Sequence, residues 1–453
     1  MNLASTLRQR RQNLGQQIDF PAILWSGGAR SRNFPANVYP FRASSHFLYF
    51  AGLPLERAAI RLEGGKLELY WDNPPEASAL WHGEQGDRDE IADRMGADAA
   101  YPLAELSDRA KDAASIAVQD PDTYQHQTDI LNRSLSSPNE SGDRDLSLIK
   151  AIISLRLTHD HHALAELQKA ADVAVEAHQA GMKKAPTATT EAEVRGAMEG
   201  VIMAHNMTCS YNSIVTVRGD VLHNERYHNP LRSGDLLLAD VGAETNLGWA
   251  SDITRTFPVT GKFSPTQRDI YDIVLAAQKR CIDLVKPGVE YRDIHLLAAL
   301  AIAEGLVDLG ILRGTPSELV DRDAHALFFP HGIGHLLGLD VHDMEDLGDL
   351  AGYGEGRQRS DRFGLGYLRL NRPLRSQMLV TIEPGFYQVP ALLQKARQQD
   401  KYKDIVNWER LEQFSDVRGI RIEDDVLVTE SGCKILTDKL PKIAEDIEEL
   451  MGE

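Results

Sequence analysis

The sequence predicts a mixed α/β protein built of two domains, and three observations carry that prediction. The chain has 453 residues, room for two or three domains of ~150. Short apolar runs of strand length alternate with segments of helical period along its extent. Between them, Leu135–Asp145 (LSSPNESGDRD) carries Ser, Pro, Asn and Gly with no apolar period. That stretch predicts a boundary between a domain of residues 1–145 and one of residues 146–453.

A hydrophobic content of 42% with 26% charged residues fits a globular chain with sizeable cores. Lys and Arg number 49 against 67 Asp and Glu, a formal charge of −18. This disfavours nucleic acid or an anionic membrane as the main partner, since both need a basic face. The three cysteines, Cys209, Cys281 and Cys433, form no CxxC and no disulfide framework, so a reducing, cytoplasmic setting is expected. No apolar run reaches the ~18 residues needed to span a membrane. The first residues, MNLASTLRQRRQNLGQQ, lack a signal-peptide core and read as a helix with Leu3, Leu7 and Leu14 on one side.

Ala22–Trp25, Ala59–Leu62 and Leu67–Trp71 read as strands, the last two joined by a turn at Glu63-Gly64-Gly65-Lys66. The aromatic stretch Tyr39–Gly52 reads as a core strand with an approach loop. From Leu148 to His205 the pattern is helical, with His159-Asp160-His161-His162 expected as a solvated helix start and Thr190–Glu193 as a capping box. Leu236–Val241 and Ile253–Val259 are expected to form an antiparallel hairpin. Gln267–Leu284 and Tyr291–Leu309 read as helices, Met378–Ile382 and Gly419–Val428 as strands, and Lys442–Leu450 as a short acidic helix.

The chemistry concentrates in Phe328–Asp343, FFPHGIGHLLGLDVHD, where His331, His335 and His342 are separated by glycines. Such imidazoles are candidate metal ligands or proton carriers. Four acids stand where acid is costly. Asp240 ends LLLAD, Asp252 opens DITRTFPV, Glu383 follows MLVTI, and Glu423 sits inside GIRIEDDVLV. A carboxylate among apolar strand neighbours is rare unless paired or metal-bound. A dinuclear metal site accounts for all four together. Oxygen donors with a single imidazole suit Mn²⁺, or Zn²⁺ and Co²⁺, and two such ions activate a bridging water for amide hydrolysis. Arg421 lies two residues before Glu423, so strand alternation puts both on one face, with Arg421 placed to hold a carboxylate.

The segments LLLADVGAE, ASDITRTFPVTG, HGIGHLLGLDVHD, TIEPGFY and GIRIEDDVLVTESG resemble the metal-binding motifs of the aminopeptidase P and prolidase family. YPFRASSHFLYFAG resembles the signature of that family's N-terminal domain. The resemblance implies a C-terminal pita-bread catalytic domain preceded by a smaller mixed α/β domain. It also implies an enzyme that hydrolyses Xaa-Pro bonds in proline-containing peptides with two divalent ions, Mn²⁺ foremost, as a homodimer or homotetramer. Matched motif by motif, the ligands are Asp240, Asp252, His335, Glu383 and Glu423, with Glu383 also the proton acceptor. His223 in VLHNERY, His331 and His342 match substrate-orienting histidines, and Tyr211 matches a tyrosine near the metals. The link from Asp240 to Asp252 is one residue longer than the family spacing.

Within the family, the long segment between Glu383 and Glu423, with its VNWERLEQFSDV, resembles prolidases. Arg369 in GYLRLNRPLR aligns with the arginine that grips the carboxylate of an Xaa-Pro dipeptide. A dipeptidase is therefore the first expectation, an aminopeptidase P acting on longer peptides the second, and a metal-free binding module a distant third.

Overall fold

Ala22–Trp25 (β1), Ala59–Glu63 (β2), Lys66–Tyr70 (β3), Ala99–Tyr101 (β4) and Ala114–Ser115 (β5) form one sheet in the order β4-β3-β2-β1-β5. All four residues of β1 are buried because strands flank it on both sides. The computed structural model describes residues 3–452. They fall into two compact units. One comprises residues up to Leu164 with Asn246–Gly248 and Asp346–Ala351, and the other comprises the rest. Among the described residues no helix is long and apolar enough to cross a membrane.

In the first unit, Ile23, Trp25, Ala59 and Tyr70 anchor the core. The turn between β2 and β3 is where the sequence puts it, with Gly64 and Gly65 at φ 57° and 82°. Leu3–Gly15 is helical and buries Leu7 and Leu14, but also Arg10 and Arg11. Arg11 donates to the carbonyls of Phe50 and Met95, and Arg10 to Asp160 and the Tyr49 carbonyl, so these cations tie elements together. The expected core strand in Tyr39–Gly52 is instead a helix, Ser45–Ala51, ended by Gly52 in the left-handed region. All seven of its residues are buried, and a run so short and apolar all round carries no period to tell helix from strand.

Helices Asp143–Arg156, His161–Lys184 and Glu191–Ala204 fill the predicted helical stretch. Two local expectations change. His159 is buried rather than solvated, and Asp160 fixes the helix start by accepting the N–H groups of His162 and Ala163. The capping partner of Glu193 is Thr189, not Thr190, which makes no side-chain cap.

The second unit carries the candidate site on three small sheets. Ile214–Thr216 (β6), Leu236–Asp240 (β7) and Thr254–Pro258 (β8) form the order β8-β7-β6, and β7 and β8 pair antiparallel as expected. Leu379–Ile382 (β9) and Gly385–Tyr387 (β10) are separated by Glu383-Pro384. Gly419–Arg421 (β11) and Asp424–Val428 (β12) are separated by Ile422-Glu423. The sequence reads Gly419–Val428 as one strand, yet it splits. β11 pairs with β10, while β12 pairs with β9 and with Cys433–Ile435 (β13). Pro384 has no N–H to continue the ladder. At that gap Ile422 N–H bonds the Pro384 carbonyl and Glu423 N–H turns to the Thr254 carbonyl. Pro265–Leu284 and Tyr291–Asp308 pack as a helix pair within this unit.

Candidate active site

Each acid emerges where a strand ends or a ladder breaks. Asp240 closes β7, with Thr254 as its register partner on β8, and Asp252 lies two residues before β8. Glu383 and Glu423 occupy the two facing gaps, between β9 and β10 and between β11 and β12. The histidine loop is laid along β9: Thr381 N–H bonds the His335 carbonyl at 3.0 Å and Glu383 N–H bonds the Ile333 carbonyl at 2.8 Å. Gly334 permits this approach. Its φ is 152°, and a side chain there would run into the Thr381 carbonyl and the Tyr291 hydroxyl.

The result is a cavity of about 410 Å³. Its walls include Asp240, Asp252, His335, Glu383 and Glu423 together with His223, His331, His342, Arg369 and Arg421. Tyr211 does not line it, but its hydroxyl reaches Asp240 and, at 2.6 Å, Asp252. The site residues matched from sequence therefore meet in one place, although they are spread along the chain from Tyr211 to Glu423.

The donor set suits cations. Asp252, His335 and Glu423 each offer one ligand atom, all within 4.8 Å of one another. His335 donates Nδ1–H to the Leu336 carbonyl at 2.9 Å, which leaves Nε2 as a lone pair. That lone pair faces Asp252 Oδ2 at 3.3 Å and Glu383 Oε1 at 3.8 Å, an arrangement that is repulsive unless a proton or a metal cation lies between them. Burial keeps His335 neutral, its pKa lowered to about 4. Burial and the neighbouring Asp240 push Asp252 up to about 8, and burial likewise takes Glu383 to about 8. Burial and the neighbouring Asp252 and Glu383 also raise Glu423 well above the usual carboxylate range, and its Oε1 is buried with no hydrogen-bond partner among the described residues. Oε2 of Glu423 takes the Thr254 hydroxyl at 2.7 Å. An orphaned oxygen, a lone pair among carboxylates and mutually destabilised acids all fit a site built for divalent metal.

Around this core runs a polar frame. Arg421 gives Nη2–H to Asp240 at 2.5 Å, Nε–H to the Thr254 hydroxyl at 3.0 Å, and Nη1–H to the Tyr387 hydroxyl at 3.0 Å. It faces the cavity beside Glu423 as alternation requires, though the two sit on β11 and in the gap after it. Tyr387 lies 2.8 Å from His331 Nε2, and His331 Nδ1 lies 2.8 Å from the Gly332 carbonyl. His331 is held neutral by burial, at about 3. His342 stacks edge-on against His335, with ring centroids 4.3 Å apart, and its Nδ1 meets Glu345 Oε2 at 2.5 Å. His223 is exposed at the rim.

Four groups in or behind the site escape sequence reading. Tyr387 follows an apolar run and looks like strand core. Asp425 is buried and accepts the Asp252 N–H, but it reads as one of a pair of acids inside β12. Arg359 and Tyr367 line the cavity from a stretch with no apolar period, where nothing marks them.

The metallopeptidase family M24 pattern matches residues 165–430, and that of the aminopeptidase P N-terminal domain matches residues 7–119. The Xaa-Pro aminopeptidase of Escherichia coli (strain K12) is 30% identical over 464 residues, covering 98% of this chain and 97% of that one. A probable Xaa-Pro aminopeptidase of Fusarium vanettenii is 37% identical over 302 residues, 65% of this chain and 62% of that protein. Among solved structures, Zn-substituted E. coli aminopeptidase P in complex with product gives a TM-score of 0.80 at 29% identity, covering 100% of this chain and 98% of that one. With five family motifs converging on one carboxylate-rich cavity, the chain belongs to metallopeptidase family M24 and is an Xaa-Pro peptidase of the aminopeptidase P and prolidase group.

Proposed function

We propose that this enzyme is an Xaa-Pro aminopeptidase, releasing the residue before proline from peptides longer than two residues. The observation that carries the reading is the near end-to-end match, 98% and 97% of the two chains, with the E. coli Xaa-Pro aminopeptidase. This reverses the order expected from sequence. The long segment after Glu383, which suggested a dipeptidase, contributes nothing to the cavity wall until Arg421. Arg369 does line the cavity, and a guanidinium fork suits a carboxylate, so the Xaa-Pro dipeptidase remains the second reading.

In this reading Asp240, Asp252, His335, Glu383 and Glu423 hold two divalent cations, Mn²⁺ ahead of Zn²⁺ and Co²⁺. Bound there, the cations supply a water that ionises near neutral pH and a polarised scissile carbonyl. Glu383 accepts the proton of the attacking water, and its Oε2, 3.7 Å from His331 Nδ1, stands next to a ring that burial keeps neutral. With Nδ1 given to Glu345, His342 turns Nε2 to the substrate, and His223 at the rim orients the peptide. Arg421 and Tyr211 keep Asp240 and Asp252 in place. A homodimer or homotetramer in the cytoplasm completes the reading, from the family resemblance and the unpaired cysteines.

Steady-state kinetics of the Mn²⁺-loaded enzyme on Gly-Pro, Gly-Pro-Xaa and a longer Xaa-Pro peptide test it. Aminopeptidase action requires kcat/KM for the longer peptides to exceed that for Gly-Pro by about tenfold or more. A preference for Gly-Pro overturns it in favour of the dipeptidase.

A further inference from the structure

Glu345 bridges two groups of the cavity wall without lining the cavity itself. Its Oε2 meets His342 Nδ1 at 2.5 Å, and its Oε1 accepts from Arg369 Nη1. Both contacts lie within reach of solvent: Glu345 is half exposed, and the Arg369 and His342 side chains keep 38% and 31% of their surface open. The bridge is therefore exchangeable, and an incoming anion competes for the same guanidinium.

A dipeptide ending in proline brings a free carboxylate to the site, whereas a longer peptide brings a neutral amide at the same point. Arg369 lines the cavity, and its guanidinium is taken by Glu345 of the neighbouring loop. We propose that Glu345 is a specificity-determining residue: its carboxylate occupies Arg369 in place of a substrate carboxylate and so turns the site away from dipeptides. A dipeptide must displace a charge partner already in place and then lie beside the displaced negative charge. An amide asks nothing of Arg369 and loses nothing. The proposal rests on the cavity being the Xaa-Pro peptide site, and it gives the length preference a named cause.

The test uses the metal-loaded enzyme as wild type, Glu345→Gln, Arg369→Ala and the double variant. For each, kcat and KM are measured on Gly-Pro and Gly-Pro-Xaa. Glu345→Gln should raise the ratio of kcat/KM for dipeptide over tripeptide about five- to tenfold, chiefly through a lower KM for Gly-Pro. Arg369→Ala in the Glu345→Gln background should abolish that gain. Glu345→Gln also alters the partner of His342, but this acts on both substrates and cancels in the ratio. Circular dichroism and the melting temperature of each variant report folding. A ratio unchanged within twofold, or a gain that survives removal of Arg369, overturns the proposal. So does a wild type that prefers Gly-Pro with Glu345 in place. Cleavage of neither peptide by any variant would instead bring down the peptide-site reading, a result visible before any ratio is taken.

Discussion

Glu383 shows at the scale of one residue how placement sets chemistry. Burial disfavours its charge and takes its pKa to about 8, with Asp252 and Asp240 adding to the rise and Arg421 opposing it. A group so poised holds a proton readily near neutral pH and is stabilised as an anion by a nearby cation. Glu383→Gln preserves shape and removes both properties, so kcat should fall about 10²–10⁴-fold while the circular dichroism spectrum stays close to wild type. Near-normal turnover at full metal occupancy would show that Glu383 is neither ligand nor base. The acids were legible in the sequence because each opens, interrupts or ends a strand-like run, which is an energetic anomaly on its face. Tyr387 was not, since a tyrosine after such a run is ordinary, and only its hydroxyl between Arg421 and His331 reveals its place. Glu345 was hidden among the other acids of HDMED.

At the scale of elements, most helices and the β7–β8 pairing followed from apolar period and polar links. What the pattern could not give was the split of Gly419–Val428, because GIRIEDDVLV holds no glycine, proline or turn signal inside it to mark which partner each half takes. Just past the split, Asp424 anchors the strand in the core. Arg255 Nη2 lies 2.8 Å from it, Lys442 Nζ 2.6 Å, Gln278 Nε2 2.7 Å and the Thr437 hydroxyl 2.7 Å. Burial alone would raise this acid, yet Arg255 and Lys442 hold its carboxyl well below the usual carboxylate range. A depressed acid contributes stability above its unfolded pKa and loses it as pH falls. Asp424→Asn leaves Arg255, fully buried, without its counter-charge. Denaturant unfolding should then show a loss of about 3–5 kcal/mol. A midpoint unchanged within error would mean the network is replaceable.

For the whole molecule, the acid cluster links metal to folding. In the metal-free protein Asp252 and Glu383 titrate near 8 in the folded state, against roughly 4 when unfolded. Raised acids contribute stability at pH below the unfolded value and lose it as pH rises through the folded one. The melting temperature of metal-free protein should therefore drop by about 5 °C or more between pH 5 and pH 8. Mn²⁺ should abolish the drop, and it should raise the melting temperature more at pH 8 than at pH 5. A flat profile without metal would show that the carboxylates do not strain one another, and elemental analysis should find two ions per chain when the effect is present.

The pair formed by Gly385–Tyr387 and Gly419–Arg421 puts Tyr387 opposite Gly419, so everything from Gln388 to Arg418 departs and returns at one point. Gln388 pins that point by donating to the Phe414 and Val417 carbonyls. No residue of this excursion lines the cavity. Closing a loop costs only about 0.6 kcal/mol for each doubling of its length. Chain-closure entropy therefore ties the length of the excursion only weakly to the positions of Glu383 and Glu423. The excursion is nonetheless tied into the core, since Ile405, Val406, Leu411 and Phe414 are buried and Asn407 N–H bonds the Ile311 carbonyl, so a graft that spares the chemistry belongs at an exposed point of it such as Lys403.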